Sequence, residues 1–85
     1  GWGKITGTVT GSGEALEGAV VALDGVSYDV TLRTDADGTY GYWMQKSNAP
    51  LQVVVAADGF VPATKKAQIV AGQTTVYDFD LKPLD

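Results

Sequence analysis

The chain has 85 residues, 45% hydrophobic and 19% charged, which suits one small packed domain and leaves no room for a deep cleft between lobes. Six Lys and Arg stand against ten Asp and Glu, a net charge of −4 with no basic cluster larger than Lys65-Lys66, so nucleic-acid binding is disfavoured. No stretch approaches the ~20 apolar residues of a membrane span, so membrane insertion is not expected, and the absence of Cys and His removes disulfides, thiolate or imidazole metal sites and any triad built on those residues. The chain starts at Gly1 without a signal-peptide pattern and is expected to be a single domain, residues 1–85, cut from a longer protein.

From Trp2 to Thr10 the residues alternate, with Ile5, Gly7 and Val9 on one face and Lys4, Thr6, Thr8 and Thr10 on the other. Period two with threonines outward describes a strand with one wet face. Gly11-Ser12-Gly13 breaks it, and Ala19 to Leu23 forms a second strand with Ala19, Val21 and Leu23 on one side. After Asp24-Gly25 comes the cleanest alternation in the chain, with Val26, Tyr28, Val30 and Leu32 facing one way and Ser27, Asp29, Thr31 and Arg33 the other. The stretch Thr34-Asp35-Ala36-Asp37-Gly38-Thr39-Tyr40 then reads as a hairpin turn, because Asp-Gly supplies a residue that takes φ > 0 without steric cost.

Thr39 to Met44 follows, with Tyr40 and Tyr42 on one face and Gly41 and Trp43 on the other. Lys46 to Pro50 is a polar connection. Leu51, Val53 and Val55 share a face of the next strand, and Val54 makes its centre continuously apolar, as in a strand covered on both sides. A third Asp-Gly pair, Asp58-Gly59, ends it. Lys65 to Val70 is a weaker strand with Ala67 and Ile69 as core residues. Thr75 to Leu81 closes the domain, with Tyr77, Phe79 and Leu81 inward and Asp78 and Asp80 outward. No window carries a helical apolar stripe, and eleven glycines punctuate short runs. Seven strands at this spacing predict an all-β, two-sheet antiparallel sandwich.

The order of five motifs is that of a known family. They are Ile5-Thr6-Gly7-Thr8-Val9, Ala15-Leu16-Glu17-Gly18-Ala19-Val20-Val21, Thr34 to Tyr40, Ala57-Asp58-Gly59-Phe60, and Phe79-Asp80-Leu81-Lys82-Pro83. Over nearly its whole length the chain resembles the carboxypeptidase regulatory-like domain. That resemblance implies a seven-stranded antiparallel β-sandwich with Greek-key connections, transthyretin (prealbumin)-like. Trp2-Gly3-Lys4 and Tyr42-Trp43-Met44 before Ala49-Pro50-Leu51 are similar to accessory domains that follow the catalytic domain of secreted bacterial subtilisin-like serine proteases. The family often has Pro-x-Gly-x-Tyr before its fifth strand, and here Ser47-Asn48-Ala49-Pro50-Leu51 stands in its place. Members are appended to peptidases, carbohydrate-active enzymes and outer-membrane receptors, which implies a non-catalytic accessory role and leaves the partner open.

Four groups of residues compete for a functional role. Asp35 and Asp37 before Gly38 resemble the opening of a calcium loop, but the twelfth position counted from Asp35 is Lys46 rather than a bidentate Glu, so a plain turn is favoured and no cofactor is expected. Trp43 is outward by alternation, and Trp2 has opposite parity to Ile5. Together with Tyr42 they are candidates for docking a neighbouring domain, for stacking on sugar as the related starch-binding-like sandwiches imply, or for capping the open end of the sandwich. An internal isopeptide bond from Lys4 to Asp78 or Asp80, assisted by Glu14 or Glu17, is disfavoured because all of them read as wet-face or loop residues. Lys65, Lys66 and Pro62 suit an edge strand, where charge and proline block unwanted pairing.

The expected function is therefore a non-catalytic accessory domain of a larger protein, a peptidase by resemblance, secreted or on a bacterial cell surface. Its partners would be neighbouring domains of the parent chain. Polysaccharide is the alternative ligand.

Overall fold

The structure, a computed structural model, describes residues 1–24, 29–45 and 51–84. Every regular element among them is a strand: β1 (Trp2–Gly11), β2 (Glu14–Ala15), β3 (Val20–Asp24), β4 (Asp29–Arg33), β5 (Thr39–Gln45), β6 (Leu51–Ala56), β7 (Ala63–Ala67), β8 (Thr74–Val76) and β9 (Phe79–Leu81). The seven expected runs are all present. The count rises because β2 is a two-residue piece after the Gly11 turn and because the last run is broken into β8 and β9 around Tyr77-Asp78. The expected placement of Val26 and Tyr28 on the face of Val30 and Leu32 and the connection Lys46–Pro50 lie outside the described residues.

Two sheets stack face to face. In the first, β1 is the hub: β5 pairs with it antiparallel from Trp2↔Gln45 to Thr8↔Thr39, and β2 pairs antiparallel at Thr10↔Ala15. The Val9 amide donates to the Gly38 carbonyl and the Val9 carbonyl accepts from the Leu16 amide, so β2 continues the edge that β5 occupies. On the opposite edge β8 and β9 run parallel to β1, in register Lys4↔Thr74 and Thr10↔Asp80. This departs from an all-antiparallel plan, since alternation along a strand fixes its faces and not its direction. The second sheet has the order β4-β3-β6-β7 and is antiparallel throughout.

The turn Asp35–Gly38 is built as a hairpin turn but joins strands of different sheets. The Gly38 amide donates to the Asp35 carbonyl at 2.9 Å, the Asp35 amide donates to the Thr39 carbonyl at 3.0 Å, and Gly38 has φ 76°. β4 nevertheless bonds β3, and β5 bonds β1. The expected hairpin is thus a corner that carries the chain from one sheet to the other. It is seated on β1, where a Cβ added to Gly38 would lie 2.7 Å from the Val9 carbonyl oxygen.

Alternation delivers the core. Ile5 and Val9 of β1, Val21 and Leu23 of β3, and Val53 and Val55 of β6 are fully buried between the sheets, with Tyr40, Leu51, Ala67, Ile69, Phe79 and Leu81 around them. Each aliphatic side chain contributes about 1.5–3 kcal/mol by leaving water. Ala67 and Ile69 are core residues as expected, although β7 begins two residues earlier than Lys65 and ends at Ala67. β6 is central, between β3 and β7, while its Val54 is only half-buried because its outer face meets solvent. The edge strand β7 presents Lys65 and Lys66 to solvent; Lys65 lies 5.1 Å from the Phe79 ring centroid and donates to the Asp78 carbonyl.

Three polar side chains fasten segments distant in sequence. Thr34 is buried; its hydroxyl accepts from the Ala19 amide at 2.9 Å and donates to the Leu16 carbonyl. Tyr40 donates its phenol proton to the Tyr77 carbonyl, across the close approach of Gly7 to that same carbonyl. The Tyr77 phenol in turn accepts from the Gln68 amide at 2.9 Å, tying the chain beyond β7 to the first sheet.

Candidate functional site

The outer face of the first sheet collects the residues that sequence parity sends away from the core. On β1 these are the exposed Trp2 and the partly buried Lys4, Thr6, Thr8 and Thr10, while Gly3, Ile5, Gly7 and Val9 are buried. Register then sets their neighbours: Lys4 opposes Trp43 and Thr6 opposes Gly41 on β5, and Lys4 opposes Thr74 and Thr6 opposes Val76 on β8. Trp2, Trp43 and Val76 are 54%, 55% and 58% exposed, so this face shows large apolar surface to water. Tyr42 belongs elsewhere. It opposes the fully buried Ile5 and packs half-buried against the core, so it forms the wall of the core and not part of the platform.

At one end of this face lies a shallow groove of about 480 Å³, lined by Lys4, Thr6, Arg33, Asp35, Thr39, Gly41 and Trp43 with Tyr40 beneath. Its floor carries no side chain from β5 at position 41, which is glycine, and the Lys4 side chain takes that space. A Cβ there would lie 3.0 Å from Lys4 Cε and 3.7 Å from Thr6 Oγ1, so the lysine side chain lies over the glycine. Arg33 arrives from the end of β4 and donates one Nη1 hydrogen bond to the Gly18 carbonyl at 3.2 Å. Thr6 Oγ1 is committed to the Tyr40 carbonyl at 2.7 Å. Arg33 also borders a second concavity of about 360 Å³ at the end of the sandwich, with Glu17, Asp58 and Phe60.

Asp35 is held by its own turn. Oδ1 accepts from the Asp37 and Thr39 amides at 2.9 and 3.0 Å, and Oδ2 accepts from the Thr39 hydroxyl at 2.7 Å. These bonds, the Thr39 hydroxyl's foremost, favour the ionised form and hold the carboxyl below its ordinary value of 3.8. The carboxylate therefore acts as a turn residue, with three acceptances already made. Asp37 is exposed beside it, and among the described residues no group of three or more Asp, Glu, His or Cys side chains converges.

Burial displaces the Tyr40 phenol upward, beyond the usual tyrosine range, with the charges of Asp78 and Tyr77 adding to it. Lys4 and the two aspartates of the last run are not brought together. Lys4 leans toward β5, whereas Asp78 Oδ1 accepts from the Thr8 amide at 2.8 Å and Asp80 Oδ1 from the Thr10 hydroxyl at 3.1 Å, on the β8–β9 side.

Of the residues singled out in the sequence, the fold places Trp2 and Trp43 on one exposed face and Asp35 at the rim of the groove. Sequence reasoning missed Arg33 and Gly41. The glycine had a signal: it interrupts a run of aromatics at an outward position, where a side chain would otherwise fill the groove. Arg33 had none, because its arrival depends on the chain changing sheets two residues later.

A sequence model of the carboxypeptidase regulatory-like domain matches residues 4–82. The chain belongs to this family. No curated protein sequence matches it.

Among solved structures, the carboxypeptidase regulatory-like domain described here is similar to part of the Bacillus anthracis TIE protein, with 21% identity and a TM-score of 0.78 over 96% of this chain. It is also similar to 3-chlorocatechol 1,2-dioxygenase from Rhodococcus opacus, with 13% identity and a TM-score of 0.76 over 98% of this chain. A streptococcal ancillary pilin gives 16% identity and a TM-score of 0.70 over 98%. The chain spans 16%, 60% and 33% of those three proteins respectively. At these identities the likeness is one of fold, and it unites proteins as different as an enzyme and a pilin.

Proposed function

We propose that this domain is a non-catalytic accessory module of a larger secreted or cell-surface bacterial protein, a peptidase by its resemblance, and that it docks a neighbouring domain of the parent chain. The observation that carries the reading is the exposure of Trp2, Trp43 and Val76 on one face of the first sheet. Half of a tryptophan left in water forgoes about 2–3 kcal/mol of burial, which a docked neighbour would recover. The pilin and TIE likenesses support a structural role, since both proteins contain this fold as a fraction of their length.

Carboxylate catalysis would need one acid held protonated near neutral pH. Among the described residues, the carboxylate whose titration is displaced, Asp35, is displaced the other way.

The test is acrylamide quenching of the two tryptophans in this chain alone and in the chain with its neighbouring domain restored. Docking lowers the quenching constant of at least one of them. Unchanged quenching of both refutes the docking role.

A second reading has its own support in the groove beside Trp43. An aromatic ring, hydroxyls and charged groups around a glycine floor are the elements of a saccharide site. Titration with soluble glycans, followed by tryptophan fluorescence and gel retardation, tests it directly.

A further inference from the structure

We propose that the groove beside Trp43 takes a carboxylate-bearing sugar, a uronic-acid unit of an acidic polysaccharide, with Lys4 and Arg33 as the carboxylate-binding cations. The proposal rests on the saccharide reading of this groove and names its ligand class. In a chain of net charge −4 with six Lys and Arg in all, two of those cations line this one shallow groove. Arg33 uses one N–H on the Gly18 carbonyl, which leaves four of its five donors for other partners. Lys4 lies over Gly41, opposes Trp43 across the strand pair and lines the same groove.

Asp35 decides between a sugar and a simple anion. An inorganic anion or an acidic peptide brings charge to the cations but no sugar hydroxyl to the Asp35 carboxylate at the rim. A carboxylate has about four acceptor positions, and three of Asp35's are taken by Asp37 and Thr39. The remaining one suits a ligand hydroxyl. A uronic acid answers three features at once: its carboxylate meets the cations, a hydroxyl reaches Asp35, and its C–H face stacks on the Trp43 ring.

The experiment compares retardation of the 85-residue chain in native gels containing polygalacturonate, alginate, soluble starch, xyloglucan or poly-L-glutamate. The expected result is retardation by polygalacturonate or alginate, weakened by 0.5 M salt, and little by the neutral glycans or polyglutamate. Lys4→Gln and Arg33→Gln should each weaken binding roughly fivefold to tenfold, as expected for partly exposed charge-assisted contacts. Trp43→Ala should abolish it. Far-UV circular dichroism confirms that each variant is folded.

Binding to starch or xyloglucan with equal affinity keeps the saccharide site and overturns the acidic class. Binding to polyglutamate as tightly as to polygalacturonate overturns the proposal, because the groove then reads charge alone. Indifference of polyuronate binding to both cation substitutions overturns it too. Binding to no glycan removes the saccharide reading itself.

Discussion

Gly7→Ala should be among the most damaging single-methyl changes in the domain. Gly7 is buried in β1, and a Cβ built on it falls 1.9 Å from the Tyr77 carbonyl oxygen, 2.7 Å from the Tyr77 carbonyl carbon and 2.7 Å from the Tyr40 phenol oxygen. Two of these are backbone atoms at the break between β8 and β9, so rotating a side chain cannot relieve the clash. Either β1 separates from Tyr77 or the Tyr40–Tyr77 hydrogen bond opens.

Overpacking of this kind costs about 1–3 kcal/mol, and losing the phenol's hydrogen bond adds about 1–2 kcal/mol. The sum, about 2–5 kcal/mol, is a large share of the roughly 4–13 kcal/mol expected for a domain of this size. It corresponds to a fall in Tm of roughly 8–40 °C. Urea unfolding followed by far-UV circular dichroism measures it, since both tryptophans are exposed and make poor reporters of the core. Tyr40→Phe alone should cost about 1–2 kcal/mol. The double variant should cost less than the sum, because the alanine already opens that bond. A Gly7→Ala protein within about 0.5 kcal/mol of the parent would refute the close approach as a fixed feature of the fold.

Thr34→Val keeps shape but strands the Ala19 amide and the Leu16 carbonyl, and should lower stability by about 2–4 kcal/mol in the same urea assay. Asp35 has its folded-state pKa below the ordinary 3.8, so its contribution is complete above about pH 4 and is lost as the pH falls through the folded value. Acid titration of stability should therefore show an Asp35→Ala protein, less stable than the parent at neutral pH, converging on it below pH 4. Tyr40 is displaced upward, so its contribution is complete below its ordinary value of 10.0 and declines as the pH rises beyond it. Tyr40→Phe should remove that alkaline decline. Millimolar calcium or chelator should leave the Tm unchanged, since the Asp35 oxygens already serve the turn; a rise with calcium would reinstate the loop as a metal site.

Strand faces were legible in the sequence because period two is a local property. Ile5 and Val9, Val21 and Leu23, and Val53 and Val55 are buried as alternation requires, and the same parity puts Trp43 outside. Strand partners were less legible. The Asp35–Gly38 turn has hairpin hydrogen bonds whether or not its flanking strands pair, so its sequence cannot distinguish a hairpin from a corner between sheets. The parallel docking of β8 and β9 on β1 is likewise a long-range choice, made by burying Phe79 and Leu81 and by the Tyr40–Tyr77 bond. The candidate site was half visible for the same reason. Trp43 and Lys4 follow from parity, but Arg33 reaches the groove only through the corner.

The parallel pairing of the last strands with the first has a mechanical consequence. β1 starts at one pole of the sandwich, and β9, running the same way along it, finishes at the other, about 30 Å away for a ten-residue strand. Tension entering at Trp2 and leaving beyond Leu81 pulls β1 and β8–β9 past each other along their length. The hydrogen bonds between them are then loaded in shear and must yield together, whereas an antiparallel pair pulled from adjacent ends would peel open bond by bond. A module threaded in series into a surface protein would by this geometry resist extension, with Gly7, Tyr40 and Tyr77 at the point where the shearing strands are pinned.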